Sequence, residues 1–392
     1  MRTLGRLALI ALGGLALVDG GAWMILPPPL PFNPRTRYVE ETPQLSTSPR
    51  FSVATNNYGF RNSPDFSLPL RGAAPRVLLI GDSFVFGGPN DATLDLFLSR
   101  LLPGHDVING GSPGADVPFY LEMLRYYLPR IRPERLFVGL FLGNDFSGPL
   151  AEQRAASQYR LRRLARTLFY HPILLARRLA VQRGGRVGSD VLRPLTRTAF
   201  RERVTAEVAL LCRGLSLDQA THRRRSDAHP LEGILDEYPS LQYEQGVQVA
   251  AYAIVYREHL AESLLLRGGN ALRNYADALR GIGEIRELAR QQGIEPVFVL
   301  IPVSFMLDAR YSVFYRDLGY SLPQAAARYP LYERVLADLR AWGCRLLDLH
   351  AALAGRDAFF AEDWHLSQEG NRLAARELGH WIERDGQQAA AP

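Results

Sequence analysis

The chain has 392 residues, 47% of them hydrophobic, enough to build a sizeable core in one large domain or in a domain with an appendage. The formal net charge of +6 is mild and all 46 basic residues are arginine. With no zinc finger, basic leucine-zipper region or ribonucleoprotein motif, the sequence gives no case for nucleic-acid binding. Cys212 and Cys344 form no CxxC and have no histidine at metal spacing, so they read as unpaired, half-buried thiols, with pairing in an oxidising compartment as the alternative.

The first element in chain order is apolar. Arg2 and Arg6 precede "LALIALGGLALV", Asp19 follows, and the run from Leu7 to Leu26 is about long enough to cross a bilayer. Gly20 and Ala22 stand at cleavage-like spacing. Residues 1–26 are therefore expected to be a signal anchor or transmembrane helix, or a cleaved signal. The two arginines keep the N-terminus inside and the remainder outside. "PPPLPFNP" then breaks any helix, and residues 27–72 read as a linker and N-terminal wrap. Within it, Asn56 to Arg61 is expected to lie structurally over the domain.

From residue 73 strand and helix signals alternate. "RVLLIG" (76–81), "DVIN" (106–109), "RLFVGLFLG" (135–143), "EPVFVLIP" (295–302) and "CRLLDLH" (344–350) read as strands. Helical spacing covers 91–102, 117–131, 278–293, 331–343 and the amphipathic stretch after Ser367. Strands that are apolar throughout and separated by helices imply a parallel sheet covered on both faces. The expected fold is a three-layer α/β/α, flavodoxin-like sandwich of about five strands, built from 73–150 and 271–386.

Residues 151–270 interrupt that alternation as a helical insertion. "YRLRRLARTLFYHPILLARRLAVQR" puts apolar residues on one side and arginines on the other. It reads as a lid or membrane-surface helix, or as a solvated insertion packed on the main domain. The tail, 387–392, is expected to be disordered.

The chemistry candidates lie at strand ends. Ser83 follows the first strand in "GDSFVFG". A serine there is commonly a helix N-cap, and a nucleophile needs a base, an acid to orient that base, and donors for an oxyanion. Among eight histidines, His365 stands apart, in the polar loop "AEDWHLSQEGN" with Glu362 and Asp363 beside it. "INGGSPG" (108–114) follows the second strand and "LGNDF" (142–146) the third, offering a backbone N–H near two glycines and the side-chain amide of Asn144. Asp82 and Asp145 read as residues that tie their own turns through backbone N–H groups.

The blocks "GDSFVFG", "NGGSPG", "LGNDF" and "DWHLSQEG" resemble those of the SGNH hydrolases, the GDSL-type esterase and acyltransferase superfamily, and "TNNYGFR" (55–61) resembles an entry segment of membrane-anchored bacterial members. The third block departs from the common pattern, with Leu142 where glycine often stands. The resemblance implies that Ser83 is the nucleophile and that Ser83, Gly111 and Asn144 form the oxyanion hole. It implies His365 as base, oriented by Asp363, with Glu362 as the alternative acid. It further implies acyl transfer without metal or cofactor. The expected function is removal of acyl groups, acetyl first, from an extracytoplasmic glycan or similar ester. An O-acyltransferase using the same triad and a non-catalytic scaffold of a polysaccharide-assembly complex are the alternatives. The alginate-acetyltransferase type carries its Asp-x-His ahead of the Gly-Asp-Ser; here it comes after, which leans toward hydrolysis. The expected location is the inner membrane, single-pass and facing the periplasm, or secretion after cleavage.

Overall fold

The computed structural model describes residues 39–42, 51–88, 92–147, 194–214, 219–227, 231–317, 328–361 and 365–390. The expected membrane segment, the linker to residue 38, most of the arginine-rich stretch and both candidate acids, Glu362 and Asp363, lie outside them. Among the described residues no helix is long and apolar enough to cross a membrane.

Five parallel strands form the centre: β3 (Arg76–Gly81), β4 (Asp106–Gly111), β5 (Arg135–Phe141), β6 (Val297–Ile301) and β7 (Arg345–Asp348). Their order is β4-β3-β5-β6-β7. Val77 to Ile80 are all buried, as a strand covered on both faces requires. Leu79, Phe137 and Val299 share one face with Leu94, Ala374 and Leu378, so the helices Leu94–Leu101 and Gln368–Ala390 cover that side. Alternate strand residues point the other way. The helices Val117–Ile131 and Gly268–Arg290, which pack on each other, cover the opposite face.

Three features differ from expectation. The polar segment before the sheet contains an antiparallel hairpin, β1 (Val39–Thr42) with β2 (Phe51–Ala54). The helix expected to start near residue 278 begins at Gly268. The last helix runs to Ala390, so 387–390 are helical and not a disordered tail. Gln and Ala are good helix formers and extend a helix already anchored by its packed face.

Within the insertion, the helix Arg197–Gly214 packs on Glu244–Leu264. Phe200, Val204, Val208 and Cys212 recur every four residues and are buried in an interior continuous with the main core. Cys212 and Cys344 are both free thiols.

The chain reverses direction across the sheet between β3 and β5: β3 leads to β4 on one side, and β4 crosses back to β5 on the other. Loops leaving such a switch point open a crevice at the carboxyl edge. Gly-Asp-Ser leaves β3 there, and Asn144 leaves β5.

Candidate active site

At the end of β3 the chain turns at Asp82, whose carboxylate accepts the Phe84 N–H at 2.9 Å and caps a four-residue helix, α1 (Ser83–Phe86). Ser83 is the first residue of that helix, where a backbone N–H has no intrahelical acceptor. Gly87 and Gly88, at φ 105° and 53°, end the helix, and their N–H groups both donate to the Ser83 carbonyl, at 3.0 and 2.8 Å.

His365 arrives from the loop before the last helix. Its Nε2 lies 2.7 Å from Ser83 Oγ, across 282 positions of sequence. The imidazole rests on the Phe84 ring, centroids 5.0 Å apart, and Phe84 stacks in turn on Phe141. Gly88 forms the other wall. A β-carbon there would sit 2.9 Å from His365 Cβ and 3.0 Å from its Cγ, so only glycine fits. The pair is half-buried, reachable from solvent yet packed against Phe84 and Gly88.

Asn144 joins the same centre from the β5 loop. Its Nδ2 donates to Asp82 Oδ2 at 2.9 Å. An ionised carboxylate accepts only, so Asp82 sets which way the amide points and repels the amide oxygen. The second Nδ2 proton remains to serve a ligand.

Gly111 is placed differently from its expected role. It pairs in register with Gly81 at the end of β4. Its N–H, however, donates to Asn109 Oδ1 at 3.0 Å. A β-carbon at Gly111 would lie 2.1 Å from Phe86 N, so the residue is glycine because β4 closes tightly on α1. The N–H expected to face an oxyanion is engaged by a side chain two residues earlier.

Asp82 and Asp145 do bond the backbone of their own turns, Asp145 accepting the Phe141 N–H at 2.7 Å. They also reach further. Asp145 accepts the Tyr120 hydroxyl at 2.8 Å, and the two carboxyls share one buried region. Burial pushes Asp82 above the ordinary carboxylate range, against the pull of its hydrogen bonds and of His365. Burial and the neighbouring Asp82 charge push Asp145 well up, and the Tyr120 hydroxyl rises with it.

A raised carboxyl means that the folded state binds the proton more tightly than the unfolded chain. The stability it contributes is complete below the unfolded value, near 3.8, and is lost as pH rises through the folded one. In Asp145→Asn this loss is absent. The melting temperature of the variant relative to the native protein should therefore climb steadily as pH is raised from about 4. A flat difference in thermal melts across that range would contradict the assignment.

Sequence reasoning missed Tyr120, Asn109 and the burial of Arg61. "TNNYGFR" was a signal that the last of these mattered, but nothing in it said which groups the arginine holds.

Residues 261–392 match a family model described as SGNH hydrolase-like domain, acetyltransferase AlgX. No curated protein matches the chain. Among solved structures, a protein assigned to the lipolytic G-D-S-L family from Desulfitobacterium hafniense is 12% identical at a TM-score of 0.34, covering 78% of this chain and 98% of its own. A carbohydrate acetylesterase family member from Sinorhizobium meliloti is also 12% identical, at a TM-score of 0.32, covering 79% and 98%. Both likenesses are too slight to carry an argument. The segment that delivers the imidazole to Ser83 is the one that the SGNH hydrolase-like family model matches, so the likeness covers the C-terminal third of the chain.

Proposed function

We propose that this protein is a serine esterase that removes acyl groups, acetyl first, from an extracytoplasmic glycan or a similar ester. The observation that carries the reading is the 2.7 Å approach of His365 Nε2 to Ser83 Oγ. That distance is within reach of direct proton transfer. His365 takes the hydroxyl proton as Ser83 Oγ attacks the ester carbonyl. The oxyanion is met by the Ser83 N–H and the free Asn144 Nδ2–H. Gly111 joins them only by releasing Asn109. The imidazolium returns the proton to the leaving alcohol, and water then resolves the acyl-serine by the same base. Asp363, with Glu362 as the alternative, orients the imidazole.

Transfer of the acyl group to a sugar hydroxyl is the second reading, favoured by the acetyltransferase description of the matched model. That match includes His365 but not Ser83, and the first half of the reaction is common to both. The order of the blocks favours hydrolysis. Residues 1–26 would hold the domain at the outer face of the inner membrane, or direct its secretion.

A fluorophosphonate probe should label the full chain at Ser83 alone, with loss of label in Ser83→Ala. Release of nitrophenol from acyl nitrophenyl esters, scored against acetylated sugars with and without an acceptor glycan, should separate hydrolysis from transfer. Absence of both labelling and turnover in folded protein would favour the non-catalytic scaffold.

A further inference from the structure

Arg61 is fully buried, which is rare for an arginine and costly unless its charge is engaged. Its Nη1 donates to the Phe86 carbonyl at 2.9 Å and to the Gly88 carbonyl at 3.0 Å, and its guanidinium lies 5.0 Å from the centroid of the Phe86 ring. Its backbone N–H donates to the Asn109 carbonyl at 3.2 Å, tying residues 55–61 to β4. Asn109 Nδ2 in turn donates to the Val85 carbonyl at 2.9 Å. The carbonyls of Val85, Phe86 and Gly88 are thus all held by side chains from outside α1.

That matters because α1 has only four residues. A helix this short does not sustain itself, and its last carbonyls have no partners within it. Ser83 opens this helix, and Gly88 is the wall against the His365 ring. We propose that Arg61 is a positioning residue for the Ser83–His365 pair. By clamping the Phe86 and Gly88 carbonyls, it fixes the nucleophile's helix and the backbone surface against which the imidazole is set. The proposal rests on the esterase reading for its kinetic consequence but not for its geometric one.

The test uses full-length Arg61→Met, which keeps apolar volume but loses the donors, and Arg61→Lys, which keeps a charged donor. Both are measured below their own melting transitions. Two readouts are taken: kcat and KM on an acyl nitrophenyl ester, and the imidazole nitrogen resonances of His365, assigned by their loss in His365→Gln. Arg61→Met should lower kcat by about tenfold to a hundredfold, the range expected of a small misplacement of reacting groups, with KM within about twofold. The His365 resonances should shift. Arg61→Lys should retain more of both than Arg61→Met. If Arg61→Met fails to fold, Arg61→Lys alone should show a shifted resonance and about a threefold lower kcat.

A folded Arg61→Met with native kcat and unmoved resonances overturns the proposal. So does a fall that Arg61→Lys does not relieve, or a rise in KM alone. If the native protein shows no turnover or labelling, the esterase reading fails. The imidazole resonances then decide by themselves whether Arg61 holds the pair.

Discussion

Replacing either Ser83 or His365 with alanine should lower kcat on an acyl nitrophenyl ester by about a millionfold, and replacing both should cost little more. A nucleophile and its base act as one unit. Without the base, the serine hydroxyl keeps its proton at neutral pH; without the hydroxyl, the imidazole has nothing to deprotonate but water. The 2.7 Å contact predicts this non-additivity, because each group is placed to act on the other and neither has a separate path to the ester. Single-turnover rates on the two single variants and the double variant check it. Losses that multiply across the two positions would mean that Ser83 and His365 work independently. The contact seen between them would then be incidental to the reaction.

Asn144→Ala is expected to reduce kcat by about a hundredfold or more, the usual cost of losing one oxyanion donor, while KM changes by less than about twofold. A donor in that role would act on charge that develops only in the transition state, so its loss should leave ground-state binding nearly intact. Asp82 is what makes the effect large. Its carboxylate holds the amide by one Nδ2 proton and leaves the other directed by a fixed geometry rather than by a free rotor. The variant also withdraws one of the hydrogen bonds that hold down Asp82, already raised by burial. The missing bond should carry its carboxyl higher still. Steady-state kinetics separate the alternatives: a rise in KM with kcat preserved would assign Asn144 to substrate binding and remove it from the oxyanion hole.

The centre of the sheet was legible because β3 and β6 are apolar almost without interruption. Val77 to Ile80 and Val297 to Ile301 have both faces covered, and that condition writes itself into every residue of the strand. The hairpin of Val39–Thr42 and Phe51–Ala54 was not legible, because its strands are short and the first is largely polar. The helical course of residues 387–390 was missed because composition alone does not show that an upstream face is anchored. Ser83, His365 and Asn144 could be named from their blocks, since each sits just past a strand or just before the last helix. Gly111 was named for a freedom that the fold uses otherwise: two glycines in a row signal a close approach, but not whether the neighbour is a ligand or the backbone of Phe86.

By itself, the amino-acid order determined which segments would be buried strands, and therefore that Gly-Asp-Ser and the asparagine loop would emerge at one edge of a parallel sheet. Periodicity is a local property and survives in one dimension. Only the tertiary structure decided which donors those loops still have to offer. Hydrogen bonds between residues far apart in the chain, Asn144 to Asp82 and Arg61 to Gly88, are settled by distance in space, and no spacing along the sequence encodes them.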